Sequence, residues 1–281
     1  MTTSELLNLA SEIRMTLDDV RADRKLTFEE SGHKYTMFDP NQNKIIDNLP
    51  SVSTVLKDFY EEFDALEVSL RKADGDVKMA EELRESWGKM GDDASSIGSY
   101  AHFKLEQYVW SLYDIKMNLR KPDYFLNDDE FKLAQEMVLN GVKLIHRIIA
   151  KGFVPLETES ILGSINLGYF GQCDNLWLGV NKGNICLLMT DHKSNKTKNF
   201  IEMPYNKPLK APFESLSDTQ LHKYYLQQPL YAQLLKDMLK DTIYKDIPIV
   251  GFGILHLRDG GNIYKIPSWV YDEIKKIYPV N

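Results

Sequence analysis

The segment from Val154 to Asp191 constrains this chain more than any other. Three runs rich in branched and aromatic residues, Val154–Leu162, Leu167–Leu178 and Ile185–Asp191, are separated by the short Gly/Asn stretches Gly163–Asn166 and Gly179–Gly183. Such runs read as successive strands, and turns this short join antiparallel neighbours. Two of the strands carry an acid among apolar neighbours: Asp174 between Cys173 and Leu176, and Asp191 after Ile185-Cys-Leu-Leu-Met189.

A charge set deep in an apolar strand needs a partner, and a metal ion is one. Strand side chains alternate, so Asp191 and Lys193 project to the same side, and the hairpin between the second and third strands brings Asp174 beside Asp191. Magnesium takes hard oxygen ligands at about 2.1 Å, held by a few carboxylates, water and substrate phosphate. A lysine in the same patch can stabilise an attacking hydroxide and a scissile phosphate. The [DE]-x-K triplet is weak by itself, since it occurs at Asp23, Asp76, Asp114, Glu130, Asp191 and Glu273. Only the Asp191 copy closes an apolar strand preceded by another strand with an acid.

The rest of the chain frames this sheet. Leu6, Leu7, Ile13, Leu17 and Val20 predict an amphipathic helix over residues 3–22. Leu26–Glu30 and Lys34–Phe38 around Ser31-Gly32 predict a hairpin, Asp39-Pro40-Asn41 a turn, and Pro50-Ser51 a helix start capped by Ser51. From Asp64 to Ser111 the chain reads as a charged helical arm interrupted near Gly75 and at Gly88–Gly91, and Asn127 caps a long helix ending near Ala150. After a Pro- and Lys-rich stretch over 194–213 come a helix from Glu214 to Lys240, strands at Ile247–Leu257 and Asn262–Ile266, and a closing helix at Trp269–Ile277. The expected architecture is α/β, a central mixed sheet flanked by helices in a single domain over 1–281. Within it, 1–60 supply the N-terminal helix and hairpin, 61–152 the helical region and 153–281 the sheet core.

Composition narrows the function classes. With 43% hydrophobic and 27% charged residues the chain is of ordinary globular type. No stretch approaches the roughly 20 apolar residues that cross a bilayer, and the first residues lack a basic flank followed by an apolar run, so a soluble, unprocessed, cytoplasmic protein with no membrane partner is expected. The two cysteines, Cys173 and Cys186, lie in apolar strands, as in a reducing compartment, and cannot hold an iron–sulfur cluster, which takes about four thiolates. A net charge of −7 argues against coating nucleic acid with the whole surface. Lys182, Lys193, Lys196, Lys198, Lys207 and Lys210, against Asp191 and Glu202, form a basic strip that can track a phosphate backbone, or else a solvated loop.

Read together, Gly171-x-x-Asp174, Asp191-x-Lys193 and Gln227-x-x-x-Tyr231 resemble the RecB-type branch of the PD-(D/E)XK nuclease superfamily. Gly98-x-x-x-His102-x-x-x-Glu106 resembles that branch's G-x-x-x-H motif, and Glu159 stands twelve residues before Gly171. Pro50-Ser-Val-Ser-Thr-Val-Leu56 is similar to the P-S-V-T segment of the mitochondrial genome maintenance exonuclease and related phage exonucleases. The matched motifs span roughly residues 50–231. The resemblance implies His102, Asp174, Asp191 and the main-chain carbonyl of His192 as metal ligands, Glu159 as an outer-sphere or second-metal acid, and Lys193 as the catalytic lysine. Gln227 and Tyr231 would brace the site or contact DNA, and Glu106 would orient His102 as an acceptor. Several alternatives stay open. His102 without the motif reads as a core histidine, Glu157 shares a strand face with Glu159, and Gln220/Tyr224 repeats the spacing of Gln227/Tyr231. His192 departs from the apolar residue the family often has between Asp and Lys. The 33 residues between Lys193 and Gln227 make a long gap, read as a DNA-contacting loop with Lys196 and Lys198.

The function expected is that of a magnesium-dependent deoxyribonuclease, with manganese able to substitute. It is expected to act as an exonuclease on DNA ends or single strands in replication, recombination or repair, in the host cytoplasm if the source is viral. The helical arm would arch over the site, with Trp87, Tyr100, Phe103 or Tyr108 either as stacking platforms or as helix packing. The rivals are a structure-specific or nicking endonuclease and an inactive module of the same fold that binds DNA or protein, whose mark, a lost acid or lysine, is missing here. A single-strand annealing or replication protein is the partner implied, and a monomer or a ring-forming trimer would both fit.

Overall fold

The computed structural model describes residues 1–29, 34–47, 49–117, 119, 121–202 and 207–280, and of Asn199 the backbone alone. A capping box between Thr2 and Glu5 starts α1 (Thr3–Asp23), whose Leu6, Ala10, Ile13 and Leu17 are buried at helical spacing. β1 (Thr27–Glu29), β2 (Lys34–Asp39) and β3 (Lys44–Ile46) form a small antiparallel sheet. The third strand is an addition to the expected hairpin, too short to carry an alternating pattern, and the Ser31-Gly32 turn lies outside the described residues. Ser51 caps the single turn α2 (Val52–Val55), accepting from the Thr54 amide at 3.3 Å. The residue before it, Pro50, accepts from the Phe170 amide at 3.0 Å, which ties this segment to the sheet core.

Asp64 caps α3 (Ala65–Lys72), the chain breaks at Gly75 with φ +86°, and Asp76 caps α4 (Val77–Ser111). The interruption expected at Gly88–Gly91 is absent, and α4 runs unbroken for 35 residues. An isolated helical glycine weakens a helix by about 1 kcal/mol against alanine, too little to end one that is packed on both sides of the weak point. Asn127 caps α5 (Asp128–Ile149) with Glu130 closing a capping box.

β4 (Val154–Ser164), β5 (Tyr169–Asn181) and β6 (Asn184–Lys193) follow as the expected antiparallel meander. After the short α6 (Thr197–Ile201), α7 (Gln220–Leu239) starts six residues later than the sequence predicts, because Thr219 supplies the cap and accepts from the His222 amide at 3.1 Å. α7 returns the chain to β7 (Ile249–His256), parallel to β6, and β8 (Asn262–Lys265) closes the sheet antiparallel before α8 (Ser268–Ile277). The fold is thus α/β, a mixed sheet in the order β4-β5-β6-β7-β8 flanked by helices.

The two faces of the sheet hold separate apolar clusters. α1, α7 and α8 pack with Leu156, Leu176, Leu178 and Leu187, while α4 and α5 pack with Trp177, Leu255 and Leu257. Each fully buried side chain of this size contributes about 1.5–3 kcal/mol, so both faces hold the strand ends in fixed register. No helix among the described residues is long and apolar enough to cross a membrane, and Cys173 and Cys186 are buried free thiols.

Candidate functional site

β5 and β6 pair from Asn181↔Asn184 to Asn175↔Thr190, and there the ladder stops. One step further, the backbone amide of His192 donates at 2.8 Å to Asp174 Oδ2, so a side-chain carboxylate takes the place of a strand carbonyl. This opens the sheet at the point where Asp174 and Asp191 lie. Asp191 is 1% exposed and its Oδ2 lies 2.5 Å from Lys193 Nζ, confirming that residues two apart on β6 share a side. The ammonium also sits 4.3 Å from the centre of the Tyr224 ring.

α4 delivers His102 to the same opening. Its Nδ1 lies 3.5 Å from Asp174 Oδ2 and 3.8 Å from Glu159 Oε1. The backbone at Glu159 is left-handed, with φ +48°, between the regular pairs Thr158↔Asn175 and Ser160↔Cys173. That break undoes the alternation on which sequence reasoning relied. Glu157, expected to share a face with Glu159, turns instead to Arg21, while Thr158, Glu159 and Ile161 line the cleft under α4.

His192 contributes more than a main chain. Its imidazole meets that of His102 edge to face at 5.5 Å, and ligand atoms of His102, Asp174 and His192 all lie within 4.8 Å of one another. His192 is 3% exposed, and its Nε2 has no hydrogen-bond partner among the described residues. Nδ1 faces the Asn175 side-chain amide at 3.3 Å. With that amide turned over, its oxygen would take an Nδ1 proton and leave Nε2 a bare lone pair suited to a metal. An orphaned buried nitrogen beside a carboxylate and a second imidazole fits a divalent cation.

The charges fit one as well. Burial pushes the Asp174 carboxyl up in spite of His102, and burial together with Asp174 pushes Asp191 up to about 7 against the pull of Lys193. Burial works against the charged form of His102, yet Asp174 and Glu159 hold the imidazolium up to about 9. Burial, with the neighbouring cations, drives His192 well below its ordinary value, so it stays neutral. Such opposed shifts in one cleft mark a functional site more often than a structural one.

Two cavities meet here, sharing Glu159 and Gln172. The larger, of about 800 Å³, runs under the Gly91, Ala94, Ser95 and Gly98 face of α4 towards Phe28 and Met117. The smaller, of about 220 Å³, lies between Asp174, Ser51, Ser53, Gln227 and Tyr231. Gln227 Nε2 donates to the Tyr231 hydroxyl at 2.9 Å, and Gly171 admits the Tyr231 ring, since a Cβ there would stand 2.3 Å from Cε1.

Other expected residues sit differently. Glu106 accepts from Thr158 Oγ1 at 2.7 Å rather than from His102, Thr158 in turn accepts from Trp110 Nε1 at 2.8 Å, and burial pushes Glu106 up to about 7. Lys196 and Lys198 are exposed, and neither is among the residues lining the two cavities. Of the four aromatics considered for stacking, Phe103 lines the larger cavity, whereas Trp87 packs on Phe63, Tyr100 on Tyr124, and Tyr108 bonds His146. Sequence reasoning passed over the His192 ring and Asn175. Tyr224 it held only as half of a competing motif.

Compared with known proteins, the chain matches no family model and no curated sequence. The assignment of function therefore rests on the site itself.

Proposed function

We propose that this protein is a divalent-metal-dependent DNA nuclease with a PD-(D/E)XK-type core, acting on single strands from their ends. The observation that carries the reading is the convergence of Glu159, Asp174, Asp191, Lys193 and His102 on one opening in the sheet. Asp174, His102 and the His192 imidazole would hold the ion, with Asp191 and Glu159 beside them. A bound divalent ion would lower the pKa of its water and neutralise charge building on the phosphoryl oxygens.

The chain's own groups supply the rest. Lys193, fixed by Asp191 and the Tyr224 ring, presents a partly buried ammonium to the larger cavity and would stabilise the phosphate as negative charge develops. Asp174 is held by the His192 amide, so its free lone pairs keep one direction. Phe28, Phe103 and Ile161 give the larger cavity apolar walls suited to base faces, which favours an unpaired strand over a duplex. The helical arm over 61–93 holds eleven acids against five bases, so it repels a phosphate backbone. The second, smaller cavity beyond Asp174, of about 220 Å³, would take the end of a strand, which supports action at ends.

The test is degradation of 5′- and 3′-labelled linear single strands beside a closed single-stranded circle, with magnesium, manganese or chelator. The linear strands should shorten with either ion and the circle should stay intact. Opening of the circle would make the enzyme an endonuclease. Binding of the strands without cleavage under any ion would leave an inactive module.

A further inference from the structure

The left-handed backbone at Glu159 is a conformation that a non-glycine residue keeps only when its surroundings over-determine it, at about 1–3 kcal/mol. Those surroundings are on α1. The Arg21 guanidinium has five N–H donors, and each has a partner. Nε donates to the Ile161 carbonyl at 3.0 Å, Nη1 to Asp18 at 2.8 Å and Glu157 Oε1 at 2.9 Å, and Nη2 to Glu157 Oε2 at 2.6 Å and Ser160 Oγ at 3.0 Å. Ser160 Oγ also donates to Glu157 Oε2, so the two side chains are drawn together on the helix side of the strand. On either side of this point, Arg14 donates to the Leu156 carbonyl at 3.1 Å and Arg24 to the Gly163 carbonyl at 3.2 Å.

The partners of Arg21 bracket Glu159 and leave it out. In a regular strand Glu157 and Glu159 would share a face, and Ser160 would take the other. Here one cation holds Glu157 and Ser160 on the same side, which only a reversal between them allows, and Glu159 is the reversal. We infer that Arg21 is a positioning residue that holds the chain left-handed at Glu159 and so aims its carboxylate at His102 and the candidate metal site. The inference rests on the reading of Glu159 as an acid of that site. Loss of the guanidinium fork leaves only the Ser160–Glu157 hydrogen bond to hold the reversal, so the backbone at Glu159 relaxes towards extended values and its carboxylate loses its fixed aim at His102.

The decisive variants are Arg21→Lys, which keeps the charge and loses the planar fork, and Arg14→Ala, which removes a neighbouring anchor of the same helix. The backbone carbon chemical shifts of Glu159, read by NMR, report the left-handed conformation. Turnover of a labelled single strand with manganese reports the site. In Arg21→Lys the Glu159 shifts should move to extended values and kcat should fall by about 10- to 100-fold, the usual loss when a residue orienting an active group is removed, with KM little changed. Arg14→Ala should lower the urea midpoint and leave both readouts as in the wild type. Because Arg21 acts through Glu159, Arg21→Lys should cost nothing more in a Glu159→Gln background. Unmoved Glu159 shifts in a folded Arg21→Lys protein, or losses that multiply in the double variant, would overturn the inference. A wild-type protein that cuts no DNA with any divalent ion would end the nuclease reading alone, and the Glu159 shifts would still decide the role of Arg21.

Discussion

Gly171→Ala puts the packing behind the site to a direct test. The added Cβ would stand 2.3 Å and 2.8 Å from ring carbons of Tyr231 and 2.9 Å from Val52 Cγ2. Carbon pairs are comfortable at about 3.5–4.0 Å, so the ring would have to retreat by about 1 Å. It has little room, since Tyr231 is 6% exposed and Val52 1%. Overpacking of this kind costs about 1–3 kcal/mol, and losing the Gln227–Tyr231 hydrogen bond adds about 0.5–1.5 kcal/mol. The stiffer unfolded chain of an alanine returns about 0.4–1 kcal/mol. A net loss of about 2–3 kcal/mol is expected, which lowers the melting temperature by about 3–5 °C in a chain of this size. Urea unfolding followed by circular dichroism measures the loss. Cleavage assayed well below the transition should fall too, because the displaced ring lies in the cavity beside Asp174. Adding Tyr231→Leu should recover much of the stability and none of the activity. A Gly171→Ala protein with the wild-type urea midpoint would refute the close approach and the packing argument with it.

Other perturbations separate the roles of the site residues. Lys193→Ala should lower kcat by about 10²–10³-fold, the loss typical when one transition-state donor is removed, while strand affinity measured by fluorescence anisotropy holds; unchanged turnover would remove Lys193 from the chemistry. The same variant should lose about 1–3 kcal/mol in urea unfolding, since Asp191, 1% exposed, takes a proton and remains a buried carboxyl without its partner. Asp174→Asn and His192→Ala should each diminish the rise in melting temperature produced by manganese, and His192→Ala should narrow any preference for manganese over magnesium, because imidazole suits transition ions better than magnesium; an undiminished rise would exclude the residue as a ligand. Asp237 gives a pH test away from the site. Burial alone would raise its carboxyl, but Arg24, Ser164 and Lys240 together hold it below its usual range. With the folded value depressed, the stabilisation is complete above the unfolded value of about 3.9 and is lost as pH falls through the folded value. Asp237→Asn should therefore destabilise strongly at pH 7 and progressively less as the pH falls below the unfolded value, and a loss that does not change with pH would contradict the assignment.

What the sequence made legible follows period and punctuation. The meander Val154–Lys193 and its two acids could be read because strand alternation and short turns are local signals, and the caps at Ser51 and Asn127 stand where a side chain must satisfy an amide. Gly88 and Gly91 misled, since a glycine marks a helix end only where nothing packs to carry the helix through. The choice between Glu157 and Glu159 lay beyond periodicity, because the reversal between them is enforced by an arginine on α1, some 140 residues away in sequence. His192 escaped for a similar reason: its ring matters through Asn175 on β5 and His102 on α4, and neither neighbour is written near it in the chain.

Three departures from the local rules fall together at the opening in the sheet. The strand reverses at Glu159, the β5–β6 ladder ends in a side-chain carboxylate at Asp174, and Asp191 is buried against a single ammonium. Each is unfavourable by itself, and together they set three carboxylates around one lysine and one protonatable imidazole. The polypeptide meets that shortage of positive charge by holding protons, with His102 raised to about 9 and Asp191 to about 7. A divalent cation would supply the charge and release the protons, so binding at such a site is coupled to pH and to stability. A fold that gains nothing from an acid cluster would lose it to better-packed apolar residues. Burying such a cluster without a counter-ion costs the fold stability, and a bound cation is what would return it.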